Sequence, residues 1–188
     1  PRAPPNDYPG GDGHLMADVI EIDRGWEAIK RELAKAGDAS ISVGIHDRGT
    51  YSDGLSVAQV GASHEFGLVV PQRSWLGSTI EEKADDFADL ADRLYWRGVL
   101  AGKMTASTAL RVIGQTAEDA VKAKIRDSDP SWPALALATK RRKARTIRNR
   151  SERAGFIDGD GNPLVDTGQM LNSVRYSIDL GDAREAVA

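Results

Sequence analysis

The stretch "NPLVDTGQMLNSVRYSIDL", Asn162–Leu180, decides how the chain closes. Its second half alternates: Val174, Tyr176 and Ile178 are apolar, while Arg175, Ser177 and Asp179 are polar. That period of two predicts a half-buried strand over Ser173–Leu180. The segment Thr167–Asn172 before it reads as a short helical turn. A side-chain oxygen of Asp166 or Thr167 is placed to accept one of its orphan N–H groups and cap it. A matching strand stands far upstream in "SISVGIH", Ser40–His46, where Ile41, Val43 and Ile45 alternate with small or polar residues. Two strands at opposite ends of the chain, with helical patterns between them, predict an α+β fold.

The helical patterns fill most of the interval. A first helix is expected from Asp23 to Ala36, with Asp23 as N-cap, Trp26, Ile29, Leu33 and Ala36 at helical spacing, and Gly37 as the stop. Ser56–Gly67 reads as a short helix capped by Ser56 and closed by Gly67. Its apolar face would come from Val57, Val60, Ala62 and Phe66. Leu68–Val70 is a candidate for a third strand, ended by Pro71. Two long helices follow. One runs from Trp75 to Ala101 with an acidic outer face of Glu81, Glu82, Asp85, Asp86, Asp89 and Asp92. The other runs from Thr105 to Asp127 with Leu110, Ile113, Ala117, Val121 and Ile125 as its stripe. Gly98 and Gly102 mark the break between them. Residues 1–17, rich in Pro, Gly and Asp, read as a flexible arm. Residues 18–188 form a single α+β domain, a small antiparallel sheet packed against two long helices. A long loop spans 128–163 and holds one short helical piece, Leu137–Arg145. Arg73, Trp75 and Leu76 are expected to fix the entry into the first long helix, and Val174 and Tyr176 to anchor the closing strand.

Composition narrows the chemistry. The 188 residues are 40% hydrophobic and 28% charged, with no cysteine and three histidines. Disulfides and thiolate metal sites are thereby excluded. No apolar run approaches the roughly 18 residues of a membrane span. The net charge of -3 conceals an asymmetry, because "KRRKARTIRNRSER", Lys140–Arg153, holds eight Lys or Arg against one Glu. Lys140, Arg141, Arg142, Lys143, Arg145, Arg148 and Arg150 are therefore the candidates for partner contact. The run suits an acidic protein surface, such as the acidic helix of another copy, or nucleic-acid phosphates. The aromatic interleaving that serves single-strand binding is missing from it.

Three motifs bear on catalysis or metal binding. An apolar pair before Asp-Thr-Gly is also how the active-site strand of aspartic proteases reads. Those enzymes need two carboxylates sharing a proton, and one Asp-Thr-Gly would supply them only in a homodimer. The helical reading of "QMLNS" opposes an extended active-site strand, so Asp166 and Thr167 are assigned as a structural cap. In "DGDGN", Asp158, Asp160 and Asn162 occupy positions one, three and five of a calcium loop. Pro163 and Gln169 stand where Gly and the bidentate Glu are required, so the segment reads as a loop tip. In "SHEFG", His64 and Glu65 are helix neighbours about 100° apart, a poor catalytic pair, and read as a surface pair. No catalytic, cofactor or metal residue is assigned.

Three further stretches, in order, carry a resemblance. They are "GASHEFGLVVPQRSWLGSTIEE", "WPALALATKRRKA" and "PLVDTGQMLNSVRYSI". Together they resemble a short helix carrying Glu-aromatic-Gly, then Pro-x-Arg-x-aromatic-Leu before a long helix, then Pro-Leu-x-x-x-Thr-x-x-x-Lys/Arg, then a terminal Leu-x-Asp-Thr-Gly-x-Leu-x-x-Ser-Ile-x-Tyr. This pattern is similar to the virion-morphogenesis and tail-completion proteins of tailed bacteriophages, over roughly Ser40 to Leu180. The resemblance implies a structural part of the head–tail junction, with no enzymatic activity and no cofactor. It implies a ring, commonly of six copies, stacked on other neck, connector and tail proteins around the DNA channel, with passive contact to DNA and no membrane. It places the protein in the virion, with the host cytoplasm as the site of assembly. The competing expectation is a nucleic-acid-binding protein acting through residues 140–153.

Overall fold

The computed structural model describes residues 25–37, 39–46, 49–145, 147–149, 151–152, 154, 156, 161–180 and 184–185. The expected arm, Asp23, Asp158, Asp160 and Arg150 lie outside them. The fold is α+β. Strand β1 (Ser40–Ile45) pairs antiparallel with β2 (Val174–Asp179), from Ser40 opposite Asp179 to Ile45 opposite Val174. Because the side-chain period is two, this register puts Ile41, Val43 and Ile45 on the same face as Val174, Tyr176 and Ile178. The last three are buried while Arg175, Ser177 and Asp179 are only half-buried. Both strands therefore follow the alternation in the sequence. The third strand does not. Leu68–Val70 forms a bend, with Leu68 and Val69 exposed, because Gly67 turns the chain in the left-handed region (φ 66°) and Pro71 follows at once. The third strand is instead β3 (Arg184–Glu185), on the other edge of β2.

Helix α1 spans Trp26–Gly37 and α2 spans Val57–Phe66. Ser56 and Gln59 form a reciprocal capping box at the start of α2: Gln59 N–H donates to Ser56 Oγ at 3.0 Å and Ser56 N–H to Gln59 Oε1 at 3.2 Å. Of the expected apolar face, Val57 is fully buried but Phe66 is exposed. The helix expected over Trp75–Ala101 is broken. It consists of α3 (Gly77–Glu82), α4 (Ala84–Leu94) and a π turn at Tyr95–Val99. The break falls at Lys83 (φ -110°, ψ 12°), while Lys83 N–H to Thr79 O and Phe87 N–H to Lys83 O carry the backbone ladder across it. Neither Pro nor Gly signals it. Helix α5 (Ala106–Asp127) starts at Thr105, whose Oγ1 accepts from Thr108 N–H. Glu32 of α1 also accepts the Ala106 N–H at 2.9 Å.

The sheet rests on α5, and the broken helix lies along α5 rather than on the sheet. Gly114 and Glu118, one turn apart on α5, form the contact with β2. The Tyr176 ring sits where Gly114 has no side chain: a Cβ there would lie 2.3 Å from Tyr176 Cδ2. The buried Glu118 accepts the Tyr176 backbone N–H at 2.9 Å, beyond the two residues of β2 that β3 pairs. Toward its C-terminus α5 enters the main core, where Val121 and Ile125 pack with Val57, Trp75, Leu164, Met170 and Val174. Its N-terminus packs in a second cluster of Val99, Ala106 and Ala109. The end of α5 is fastened twice. Lys124 pairs with Glu82 of α3 and with Asp129. Asn162 Nδ2 donates to the Ile125 and Arg126 carbonyls at 2.9 and 2.7 Å, taking up two of the helix's last free acceptors. Asn162 Oδ1 accepts from Leu164 and Val165 N–H, so this residue of the calcium-like motif serves as a clamp.

Candidate functional site

The three stretches that carry the resemblance meet around one cleft of about 570 Å³. Its lining includes Tyr51, His64, Arg142, Asp166, Leu135 and Met170. Three charged side chains hold this arrangement, Glu65 within the first stretch, Arg73 between the first and second, and Lys143 between the second and third. Glu65, at the end of α2, accepts four hydrogen bonds from the segment that starts α3. Its Oε1 takes Ser74 Oγ–H at 2.7 Å and Gly77 N–H at 3.0 Å. Its Oε2 takes Trp75 N–H at 2.8 Å and Leu76 N–H at 2.9 Å. The N–H groups at a helix start have no partner within the helix and carry partial positive charge, so a carboxylate there is favoured. Burial pushes the Glu65 carboxyl up, but the bonds from Leu76, Ser74, Gly77 and Trp75 outweigh it and hold it below the usual value. Glu65 is thus no surface partner of His64; it is the cap of the next helix. A Glu directly before a helix-ending aromatic-Gly, with a new helix ten residues on, is the sequence signal for that role.

Arg73 makes the second link. It is 3% exposed, and its Nε and Nη2 donate to Pro133 O at 3.1 and 2.7 Å, with Nη1 reaching Pro71 O at 3.3 Å. Trp75, equally buried, donates its indole N–H to Gly61 O at 3.0 Å. The expected roles of Arg73 and Trp75 at the helix entry are met, and Leu76 contributes its backbone N–H. Helix α6 (Leu137–Ala144) provides the third link. Lys143 Nζ donates to the carbonyls of Asn162 (2.9 Å), Pro163 (3.4 Å) and Val165 (2.7 Å). Lys143 is buried, so it leaves the set of partner-contact candidates. Of the other candidates, Arg141, Arg142, Arg145 and Arg148 are exposed and Lys140 is half-buried.

Replacing Lys143 with Met keeps the stem and deletes the charge. Three carbonyls lose a charged donor, and the expected cost is about 2 kcal/mol of unfolding free energy. Urea denaturation measures it; an unchanged midpoint would remove Lys143 from the clamp.

The final turn meets the expectation for Thr167 and departs from it for Asp166. Helix α7 (Gln169–Ser173) has Gly168 at its N-cap position, with φ 78°. Thr167 Oγ1 accepts from Gln169 N–H at 3.3 Å, while Asp166 makes no capping bond. The Asp166 carboxylate is exposed, faces the cleft and stands 3.9 Å from Arg142. Tyr51 is pushed up by burial first, then by the charges of Asp166 and Asp53. His64 lies half-buried in the wall, its Nδ1 without a partner among the described residues. Burial, then the charges of Arg73 and Lys143, lower its pKa to about 4, so the imidazole is neutral at pH 7. Among the described residues no group of three or more His, Asp or Glu is placed to hold a metal ion. No helix of the described residues is long and apolar enough to cross a membrane.

Compared with protein-family models, characterised proteins and solved structures, the chain matches none.

Proposed function

We propose that the chain is a structural component of a tailed-bacteriophage virion, a tail-completion part of the neck that joins tail to head as one subunit of a closed ring. One observation supports this reading most. The three stretches whose order carries the resemblance are separate in sequence, yet Arg73 ties the first to the second and Lys143 the second to the third, around one cleft. Independent chance matches would have no reason to be coupled in that way. The work of such a part is positional: it presents faces to neighbours and transmits load between rings.

Mass spectrometry of gradient-purified virions tests the reading, together with negative-stain images of the recombinant protein. The expected results are stoichiometric incorporation, with several copies per particle, and annular particles in solution. Absence from purified virions would overturn it. A second reading draws on the exposure of Arg141, Arg142, Arg145 and Arg148 along one segment, which suits contact with DNA phosphates. It requires duplex binding whose logarithm falls with log salt at a slope near 0.9 per phosphate contact. Neutralising those arginines would have to flatten that slope.

A further inference from the structure

Among the described residues, two groups of chain-neighbouring apolar side chains stand uncovered at opposite ends of α5. The first is the tip after α2, where Phe66, Leu68 and Val69 are 68%, 69% and 86% exposed. Its backbone is held firmly. Gly67 N–H and Leu68 N–H both donate to Ser63 O, Arg73 N–H donates to His64 O at 2.7 Å, and Gln72 Nε2 to Glu65 O at 3.1 Å. The apolar side chains therefore project from a fixed turn, which lowers the entropy lost when they are covered. The second patch is Tyr95 and Trp96 on the π turn, an edge-to-face pair with ring centres 6.5 Å apart, in which Trp96 is 66% exposed.

The core clusters locate these patches. The tip follows Glu65, which holds the Trp75 N–H, and Trp75 packs with Val121 and Ile125 at the C-terminal end of α5. The aromatic pair belongs to the turn whose Val99 packs with Ala106 and Ala109 at the N-terminal end. Between Ala106 and Ile125 the helix rises about 28 Å. One copy cannot bring its own tip onto its own aromatic pair.

The two patches also differ in the charge beside them. The basic α6 segment is tied by Lys143 to residues 162–165, and Asn162 is tied to the C-terminal end of α5, so the arginines share the tip's end. The exposed acids Asp85, Asp86, Asp89 and Asp92 lie along α4, from beside the Glu82–Lys124 pair up to the aromatic pair, and outnumber the exposed Arg93 and Arg97 there. Apolar tip with basic flank, and aromatic pair with acidic flank, are complementary in both respects. Exposed apolar patches rimmed by charge mark protein contacts. A face that matches a different face of the same chain makes a heterologous contact, the kind that closes into a ring.

We infer that copies of this chain associate head to tail, the Phe66–Val69 tip and α6 arginines of one copy seating on the Tyr95–Trp96 pair and α4 acids of the next. The inference gives a specific interface to the ring reading and rests on it for ring closure, but the contact itself is testable without a virion.

The test uses two full-length variants, Leu68→Glu/Val69→Glu in the tip and Trp96→Glu in the seat. All three side chains are mostly exposed, so both variants should keep the native circular dichroism and melting temperature. Each alone should need at least about 30-fold more protein to assemble in sedimentation velocity. Mixed one to one, they should form a dimer and stop there, because the first variant keeps an intact seat and the second an intact tip. Native assembly by either variant alone would overturn the inference, as would a mixture that stays monomeric. A native chain that is monomeric at every concentration would overturn it too, and would leave these patches to a different partner. Dimers in the mixture with no protein in purified virions would leave the contact standing and sink the neck reading.

Discussion

Glu65→Gln is expected to destabilise the protein as much as Glu65→Ala does, although Gln has the same shape. Both carboxylate oxygens are committed as acceptors, Oε1 to Ser74 Oγ–H and Gly77 N–H, and Oε2 to Trp75 and Leu76 N–H. Either orientation of an amide sets an NH₂ group against two of those donors. Hydrogen bonds to a charged group contribute about 1.5–3 kcal/mol each and are not additive, so a total loss near 4 kcal/mol is expected. For a chain of this length that is about 10 °C in melting temperature. Glu65→Asp, too short to span all four donors, should fall between. A Gln variant within about 1 kcal/mol of native would show that the four bonds do not carry this junction.

The pH dependence separates Glu65 from its neighbour. Both groups have folded pKa values below their unfolded ones, so each contributes stability that is present above its unfolded pKa and lost as pH falls. For His64 the loss begins near pH 6.5, where the unfolded chain takes up the proton, and is complete near pH 4. For Glu65 it begins near pH 4.5 and continues below. Acid titration of stability should therefore lose its upper phase in His64→Phe and part of its lower phase in Glu65→Gln.

Gly114→Ala should cost about 3 kcal/mol, against the usual direction for that change in a helix. In an exposed helix interior, Ala is favoured over Gly by about 1 kcal/mol. Here the new methyl would lie 2.3 Å from Tyr176 Cδ2 and 2.9 Å from two further ring carbons. Either the ring or the whole α5–β2 contact must move, and overpacking of that kind costs about 1–3 kcal/mol or more. Tyr176 is only 7% exposed, and its backbone N–H is held by Glu118, which leaves the ring little room to retreat. In a double-mutant cycle, Tyr176→Val should recover much of the loss and Tyr176→Phe none of it, since Phe keeps the clashing ring. A stabilised Gly114→Ala protein would mean that α5 and β2 are farther apart than described.

Strands β1 and β2, the caps of α2 and the extent of α5 were legible because they rest on local rules. Alternation specified the inward face of β1 and β2, and Ser56 with Gln59 is a capping pair readable from four residues. The break at Lys83 was not legible. It has no breaker residue, and Glu82 beside it is drawn to Lys124 on another helix. Gly114 and Glu118 were invisible as a sheet contact for a related reason. In a helical pattern a glycine reads as a weakness and a glutamate as surface, and only the position of Tyr176 some 60 residues on reverses both readings. Asp166 was misjudged because helix capping and cleft exposure demand the same residue type. Lys143 was misjudged because a lysine in a basic run differs from its neighbours only by where its helix face points.

The links made by Glu65, Arg73 and Lys143 share a property that bears on how such a chain drifts over time. Arg73 and Lys143 both grip backbone carbonyls, and Glu65 takes backbone N–H groups in three of its four bonds. Every residue type supplies a carbonyl, and all but proline supply an N–H. The gripping side chain must therefore be kept, while the gripped positions are released from that demand. An architecture held in this way can retain its shape while most of its letters change, leaving short islands of similarity separated by text with no counterpart.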